Sequence, residues 1–175
     1  DPIRAWRQCG RLWPFDDLVS GADALLGPGS DRDTRARLHR EVREMGDVRG
    51  GILAAALHLA REGVRSPRET HLRLLLARHR MPFAEVNADI FDARGGFVAE
   101  IDLAYPRWKV AVEYDGRVHA EDDRQFAKDA DRWAAIRAAG WDHVRVLHHH
   151  LRDGGGAAVA LVRNALVAAG WRPGL

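Results

Sequence analysis

Asp102, Glu113 and Asp115 are the residues whose types and spacing could do chemistry. They lie in VAEIDLAYPRWKVAVEYDGRVH, from Val98 to His119, which reads as a β-hairpin turning around Arg107 and Trp108. Strand alternation sends Glu100 and Asp102 to one face and Ile101 and Leu103 to the other, and in the second strand it sends Glu113 and Asp115 together. Pairing about that turn brings Asp102 opposite or almost opposite Glu113. Converging carboxylates repel until something supplies positive charge. Mg²⁺ or Mn²⁺ suits carboxylate and water oxygens, can hold a scissile phosphate oxygen, and lowers the pKa of an attacking water. Phosphodiester hydrolysis needs that help, because charge grows on the phosphoryl oxygens while a weak nucleophile is activated. The same spacing also fits carboxylates that line a solvent-facing surface or pair with the chain's many arginines.

Neighbouring residues extend the chemical reading. Gly116 lets the backbone leave the strand in a conformation that a larger residue resists, leaving room for substrate. His119 follows the bend, where a neutral imidazole could take a proton from water or give one to a leaving oxygen; an ordinary surface histidine is the other reading. Glu69, in SPRETHLRLLLARHR, fits the N3 position of a capping box and could also reach toward the acidic cluster. Asp129 and Arg132 stand three apart on a later helix, spaced either for a local salt bridge or to face the sheet edge and a phosphate backbone. His148, His149 and His150 alternate across a strand end, which does not suit a three-histidine metal site, so a polar strand terminus is expected. Trp108, Trp133 and Trp141 are expected in core packing between sheet and helix rather than in base stacking.

The elements that must position these residues can be read from periodicity and breakers. A short apolar helix is expected at Leu18 to Leu26, a charged helix capped by Asp31 or Asp33 through Met45, and another from Ile52 to Arg61. Ser66 as N-cap and Pro67 at N1 open the next helix. Strands follow at Glu85 to Phe91, Phe97 to Ala104 and Trp108 to Asp115, then a helix from Asp123 to Ala139, a strand in HVRVLHHH, and a last helix in AAVALVRNALVAAG. The order from Ser66 gives an α/β fold with a small mixed sheet flanked by helices. Residues 1–65 form an N-terminal helical extension or linker, and residues 66–175 form the α/β domain.

Composition bounds the classes available. The 175 residues, 46% of them hydrophobic, suit one full domain with appended helices. Net charge is only +2, yet all but Lys109 and Lys128 of the 27 basic residues are arginine, whose fork of donors suits phosphate. Cys9 stands alone, which excludes an intrachain disulfide framework or a multi-cysteine zinc site and fits a reducing compartment. No apolar run approaches the roughly 20 residues of a membrane span, and the start lacks a signal peptide's apolar segment. The expectation is a soluble cytoplasmic protein with no membrane partner.

On SPRET, AEIDLAYP, VAVEYDGRVH and FAKDADRWAAIRAAGW, followed by the VRVL strand, the chain resembles the very-short-patch-repair endonuclease-like family of the restriction-endonuclease-like PD-(D/E)XK superfamily. The resemblance covers about Ser66 to Leu151. It implies a restriction-endonuclease-like core and Mg²⁺-dependent cutting of double-stranded DNA, in DNA repair or phage defence. Asp102 then matches the central metal-ligand aspartate, Glu113 the second acidic position and Glu69 the acid of the first helix. His119 matches the histidine after the acidic strand, and Asp129 the acidic position of the following helix. Asp115 stands where the superfamily pattern has lysine; it would add a metal ligand or orient water, while Arg117 and Arg132, with Asp129, would face the nucleic acid. Similar actinobacterial proteins carry an upstream winged-helix segment like those of abortive-infection antitoxins, to which residues 1–65 could connect. The alternatives are a catalytically inactive nucleic-acid-binding or regulatory module of a toxin–antitoxin-like system, and a protein-interaction domain whose acidic face meets another chain's arginines.

Overall fold

A computed structural model describes residues 1–116 and 123–174. The chain divides into two units, Asp1–Leu74 and Leu75–Leu175, and the division falls inside one helix.

The first unit is helical. It contains α1 (Pro2–Cys9), α2 (Phe15–Leu25), α3 (Thr34–Met45), α4 (Ile52–Leu59) and the opening turns of α5 (Pro67–Arg78). Sequence spacing anticipates the last four but not α1, which buries only Ile3 and Trp6. Asp1 starts that helix by accepting the Ile3 N–H at 2.9 Å, and the Trp6 indole donates to the Leu18 carbonyl at 2.8 Å. Leu18, Val19, Ala22, Leu38, Leu53 and Leu57 complete the interior. The N-terminus of α4 is capped from a distance: the Asp47 carboxylate accepts the N–H groups of Leu53 and Ala54 at 3.0 and 2.9 Å. At α5 the expected cap forms, with Ser66 Oγ accepting the Glu69 N–H at 3.3 Å and Glu69 Oε2 accepting the Arg65 N–H at 3.2 Å.

One buried carboxylate ties this unit together. Asp23 on α2 is 1% exposed and accepts from Thr70 Oγ1, an Arg73 N–H and the Arg61 backbone N–H, each at 2.7 Å. These bonds join α2 to α5 and to the segment after α4.

The second unit holds a four-stranded mixed sheet in the order β1 (Glu85–Phe91), β2 (Phe97–Tyr105), β3 (Val110–Asp115), β4 (Asp142–Leu147). The first three strands are antiparallel neighbours, and β4 lies parallel to β3 after a crossover through α6 (Asp123–Ala138). The DARGG turn closes β1 to β2: Asp92 accepts the N–H groups of Arg94 and Gly96, both at 2.8 Å, and Gly95 takes a positive φ of 81°. Between β2 and β3 the chain makes a 3₁₀ turn at Pro106–Trp108 and passes through a left-handed Lys109. In β2, buried Ala99, Ile101 and Leu103 alternate with half-buried Glu100 and Asp102, as the hairpin reading expects. Val110, Ala111 and Val112 are buried in succession, so both faces of the central strand are covered. The covering elements include α6, against β2 and β4, and α7 (Gly156–Ala168), against β3 and β4.

Two local expectations are corrected. The histidine triplet does not extend β4; it turns into a 3₁₀ helix at His148–Leu151, because His150 Nδ1 accepts the Leu147 N–H at 3.0 Å and curls the chain. Among the three tryptophans, Trp141 packs against the core around Ile90 and Ile136, but Trp108 and Trp133 line surface cavities. No helix among the described residues is long and apolar enough to cross a membrane.

The Asp23 network makes a direct prediction. Asp23→Ala leaves the Arg73 guanidinium buried without its countercharge, so urea denaturation should show about 3–5 kcal/mol of lost stability, with Asp23→Leu/Arg73→Met recovering only the part due to the ion pair, because Thr70 Oγ1 and the Arg61 N–H still lose their acceptor. A loss below about 1 kcal/mol would contradict this account of the first unit.

Candidate functional site

Parallel pairing of β3 with β4 decides which side chains meet. The register sets Ala111 beside His143 and Glu113 beside Arg145, so alternation turns Glu113, Asp115, His143 and Arg145 to one face. Arg132 of α6 lies over that face. On the other side of β3 the last assigned β2 pair is Leu103 with Val112, and one step further Asp102 comes across from Glu113. There the ladder stops, because Asp102 Oδ2 accepts the Tyr114 N–H at 2.8 Å in place of a backbone carbonyl. A side chain thus terminates the strand pairing. A cavity of about 290 Å³ opens at that point, lined by Asp102, Glu113, Tyr114, Asp115, Gly116, Arg132, Trp133 and Arg145.

The carboxylates are engaged within the protein. Arg132 grips Glu113 with two N–H groups, at 2.9 Å to Oε2 and 2.6 Å to Oε1, and also donates to the Glu100 carbonyl at 2.7 Å. His143, with its side chain 2% exposed, places Nε2 at 2.5 Å from Glu113 Oε2. Arg145 donates to Asp115 Oδ2 at 2.5 Å and lays its guanidinium 3.7 Å from the Trp133 ring centroid. Burial pushes the Glu113 carboxyl up, but the bonds from His143 and Arg132 outweigh it and hold the group below its ordinary value. Glu113 in return raises Arg132, against the opposing pull of burial.

Three lining carboxylates against two guanidiniums leave the cavity one negative charge when His143 is neutral. Arginine supplies positive charge to Glu113 and Asp115, as in the second of the two readings of this spacing. Among the described residues, no three His, Cys, Asp or Glu side chains converge closely enough to hold a metal ion. Asp102, Glu113 and Asp115 have the oxygen chemistry a hard cation takes, and they share one cavity, but Glu113 would have to exchange Arg132 for the ion.

Asp102, Glu113, Asp115 and Arg132 are thus brought together. Glu69 belongs to the first unit, is 7% exposed and works as the cap of α5. Asp129 is half-buried one turn before Arg132, and its charge helps keep that guanidinium protonated. The salt bridge of Arg132 runs to Glu113 on the sheet. Arg117 and His119 lie outside the described residues. His143, Arg145 and Trp133 are contributors that the motif reading missed; alternation in HVRVL already sets His143 and Arg145 on one face, and parallel pairing beside the acidic strand supplies the rest. The role of Gly116 also differs from expectation. Its φ is not positive, and a Cβ there would stand 2.8 Å from Tyr114 Cε1, so the glycine makes room for a neighbouring ring.

The lowered Glu113 fixes the sign of a pH effect. Its stabilising contribution is fully present above the ordinary carboxylate value of 4.5 and is lost as pH falls through the lowered one. Thermal unfolding of the native chain and Glu113→Gln should therefore show a Tm gap that is widest near pH 7 and closes toward pH 3. A gap that stays constant over that range would refute the charged pairing.

No family model matches the chain, and no solved structure is significantly similar to it. It is 27% identical over 138 residues to two Mycobacterium tuberculosis proteins, "Uncharacterized protein MT2308" of strain CDC 1551 / Oshkosh and "Uncharacterized protein Rv2248" of strain ATCC 25618 / H37Rv. The match takes in 78% of this chain and 51% of each relative, so the chain spans about half the length of the curated relatives it matches.

Proposed function

We propose that the second unit is a restriction-endonuclease-like module that hydrolyses phosphodiester bonds of double-stranded DNA with Mg²⁺, or Mn²⁺, in the cytoplasm, in repair or phage defence. The observation that carries this reading is that Asp102, Glu113 and Asp115 line one cavity where β2 and β3 part. Asp102 and Glu113 would hold the cation, with Asp115 as a further oxygen donor. Bound there, Mg²⁺ would supply Lewis-acid stabilisation of the phosphoryl oxygens and a more acidic water.

The chain's own residues supply the rest. The superfamily pattern has a lysine where this chain has Asp115, and the arrangement offers a substitute: Arg145, one strand over, brings its guanidinium to 2.5 Å from Asp115. Trp133 supports that guanidinium with its ring, so Arg145 would meet phosphate without a flexible lysine stem. Arg132 is the second phosphate contact, once the cation relieves it of Glu113. His119 remains assigned to proton transfer by resemblance, and Arg117 to contact with the phosphate backbone.

A second reading rests on a specific observation, the occupation of both Glu113 oxygens by Arg132 and His143. In that reading the module binds nucleic acid without cutting it, as a regulatory component of a toxin–antitoxin-like system.

Nicking of supercoiled plasmid by the native chain, Glu113→Gln and Arg145→Ala, with Mg²⁺, Mn²⁺ or EDTA, separates the two. Metal-dependent nicking is expected in the native chain, reduced at least about a hundredfold in Glu113→Gln and tenfold or more in Arg145→Ala. DNA binding in EDTA that is unchanged by Glu113→Gln, with no nicking by any form, would replace the nuclease with the binding module.

A further inference from the structure

We propose that a second cavity, at the opposite end of β3, receives an unpaired nucleotide of a nucleic-acid strand. This cavity, of about 540 Å³, is lined by Arg80, Phe83, Arg107, Trp108, Trp171 and Arg172 among others, none of them acidic. It lies beside the 3₁₀ turn that precedes β3, whereas the acidic cavity lies at Asp115; the strand's six residues separate them by about 17 Å. The proposal does not depend on the cutting reading.

Its arginines differ from those of the acidic site. Arg132 and Arg145 are both held by carboxylates, but the side chains of Arg80, Arg107 and Arg172 are exposed, and among the described residues none is bonded to a carboxylate or a carbonyl. The Arg107 guanidinium lies 5.3 Å from the Trp108 ring centroid. Three unpaired guanidiniums from three separate segments, with no carboxylate among them, select an anion. Trp108 and Trp171 are each half-buried, and Phe83 is 82% exposed at the rim, so the same cavity offers aromatic surface to a flat ring.

The backbone holds these groups in defined places. At the end of α7, Gly170 has φ 94° and the Trp171 N–H returns to the Leu166 carbonyl at 2.8 Å. At the end of α5, the Met81 N–H returns to the Leu76 carbonyl at 3.2 Å and the left-handed position is Arg80, with φ 57°, where glycine is the easy choice. Two helix ends thus turn their next residues toward the cavity, one of them using an arginine at a conformational cost. A base stacked on indole with phosphates along the strand to either side satisfies all three arginines. A free mononucleotide carries its phosphate on one side only.

The test measures binding of a fluorescein-labelled single-stranded oligothymidylate to the whole chain by anisotropy in EDTA, where cutting cannot interfere. Thymidine monophosphate and a duplex of equal length serve as competitors. The native chain should bind the strand. Arg107→Ala/Arg172→Ala, which changes only exposed side chains, should bind at least tenfold more weakly, with the slope of log affinity against log salt reduced by about 1.4. Trp171→Ala should weaken binding at least about fivefold. Unchanged affinity in both cavity variants, no strand binding by the native chain, or competition by the mononucleotide as strong as by the strand would each overturn the proposal.

Discussion

A strand covered on both faces cannot carry charge without company, and β3 is such a strand. Val110 to Val112 are wholly buried, and the strand then delivers Glu113 and Asp115 toward the same interior before it ends. Everything around the acidic cavity answers that constraint. Arg132 reaches down from α6, His143 and Arg145 come from the parallel neighbour, and the Tyr114 N–H turns aside to Asp102. Separating such pairs leaves buried charge uncompensated, so the positions of α6 and β4 relative to β3 are specified by electrostatics as well as by the apolar contacts of Ile136 and Ala111.

Arginine has two distinct uses in this chain, and composition alone does not distinguish them. In the first unit Arg73 is buried against Asp23, and at the acidic cavity Arg132 and Arg145 neutralise Glu113 and Asp115. Around Trp108 and Trp171 the guanidiniums meet no carboxylate among the described residues. A net charge of +2 averages these environments into near neutrality. Local pairing, rather than the overall balance, determines where an anion would find unspent positive charge.

Much of the fold was legible because its signals are local. Ser66, Pro67 and Glu69 announce the start of α5, the turn residues of DARGG bound β1 and β2, and alternation marks Glu113 and Asp115 as face-sharing neighbours. What escaped depends on partners far along the chain. Nothing within HVRVL says that its strand lies parallel to β3 with Arg145 beside Glu113, so pairing of the hairpin carboxylates with arginine stands in the sequence as one reading beside a cation, without Arg145 as its named partner. The short α1 was missed because two buried residues are too few to establish a period, and the histidine triplet because a side chain, His150, captures the backbone N–H that would have continued the strand. Trp133 reads as core by composition, yet one face of it is taken by Arg145.

Tyr114 is held from two directions. Its N–H is fastened by Asp102, and its ring occupies the space where a side chain on Gly116 would stand. The ring thus forms a wall of the cavity on a residue whose backbone is tied to Asp102, and a group that took Oδ2 from the Tyr114 N–H would free the backbone that carries that wall. One hydrogen bond therefore joins the chemistry of the aspartate to the lining of the opening, and the missing side chain at position 116 is what leaves the ring its place there.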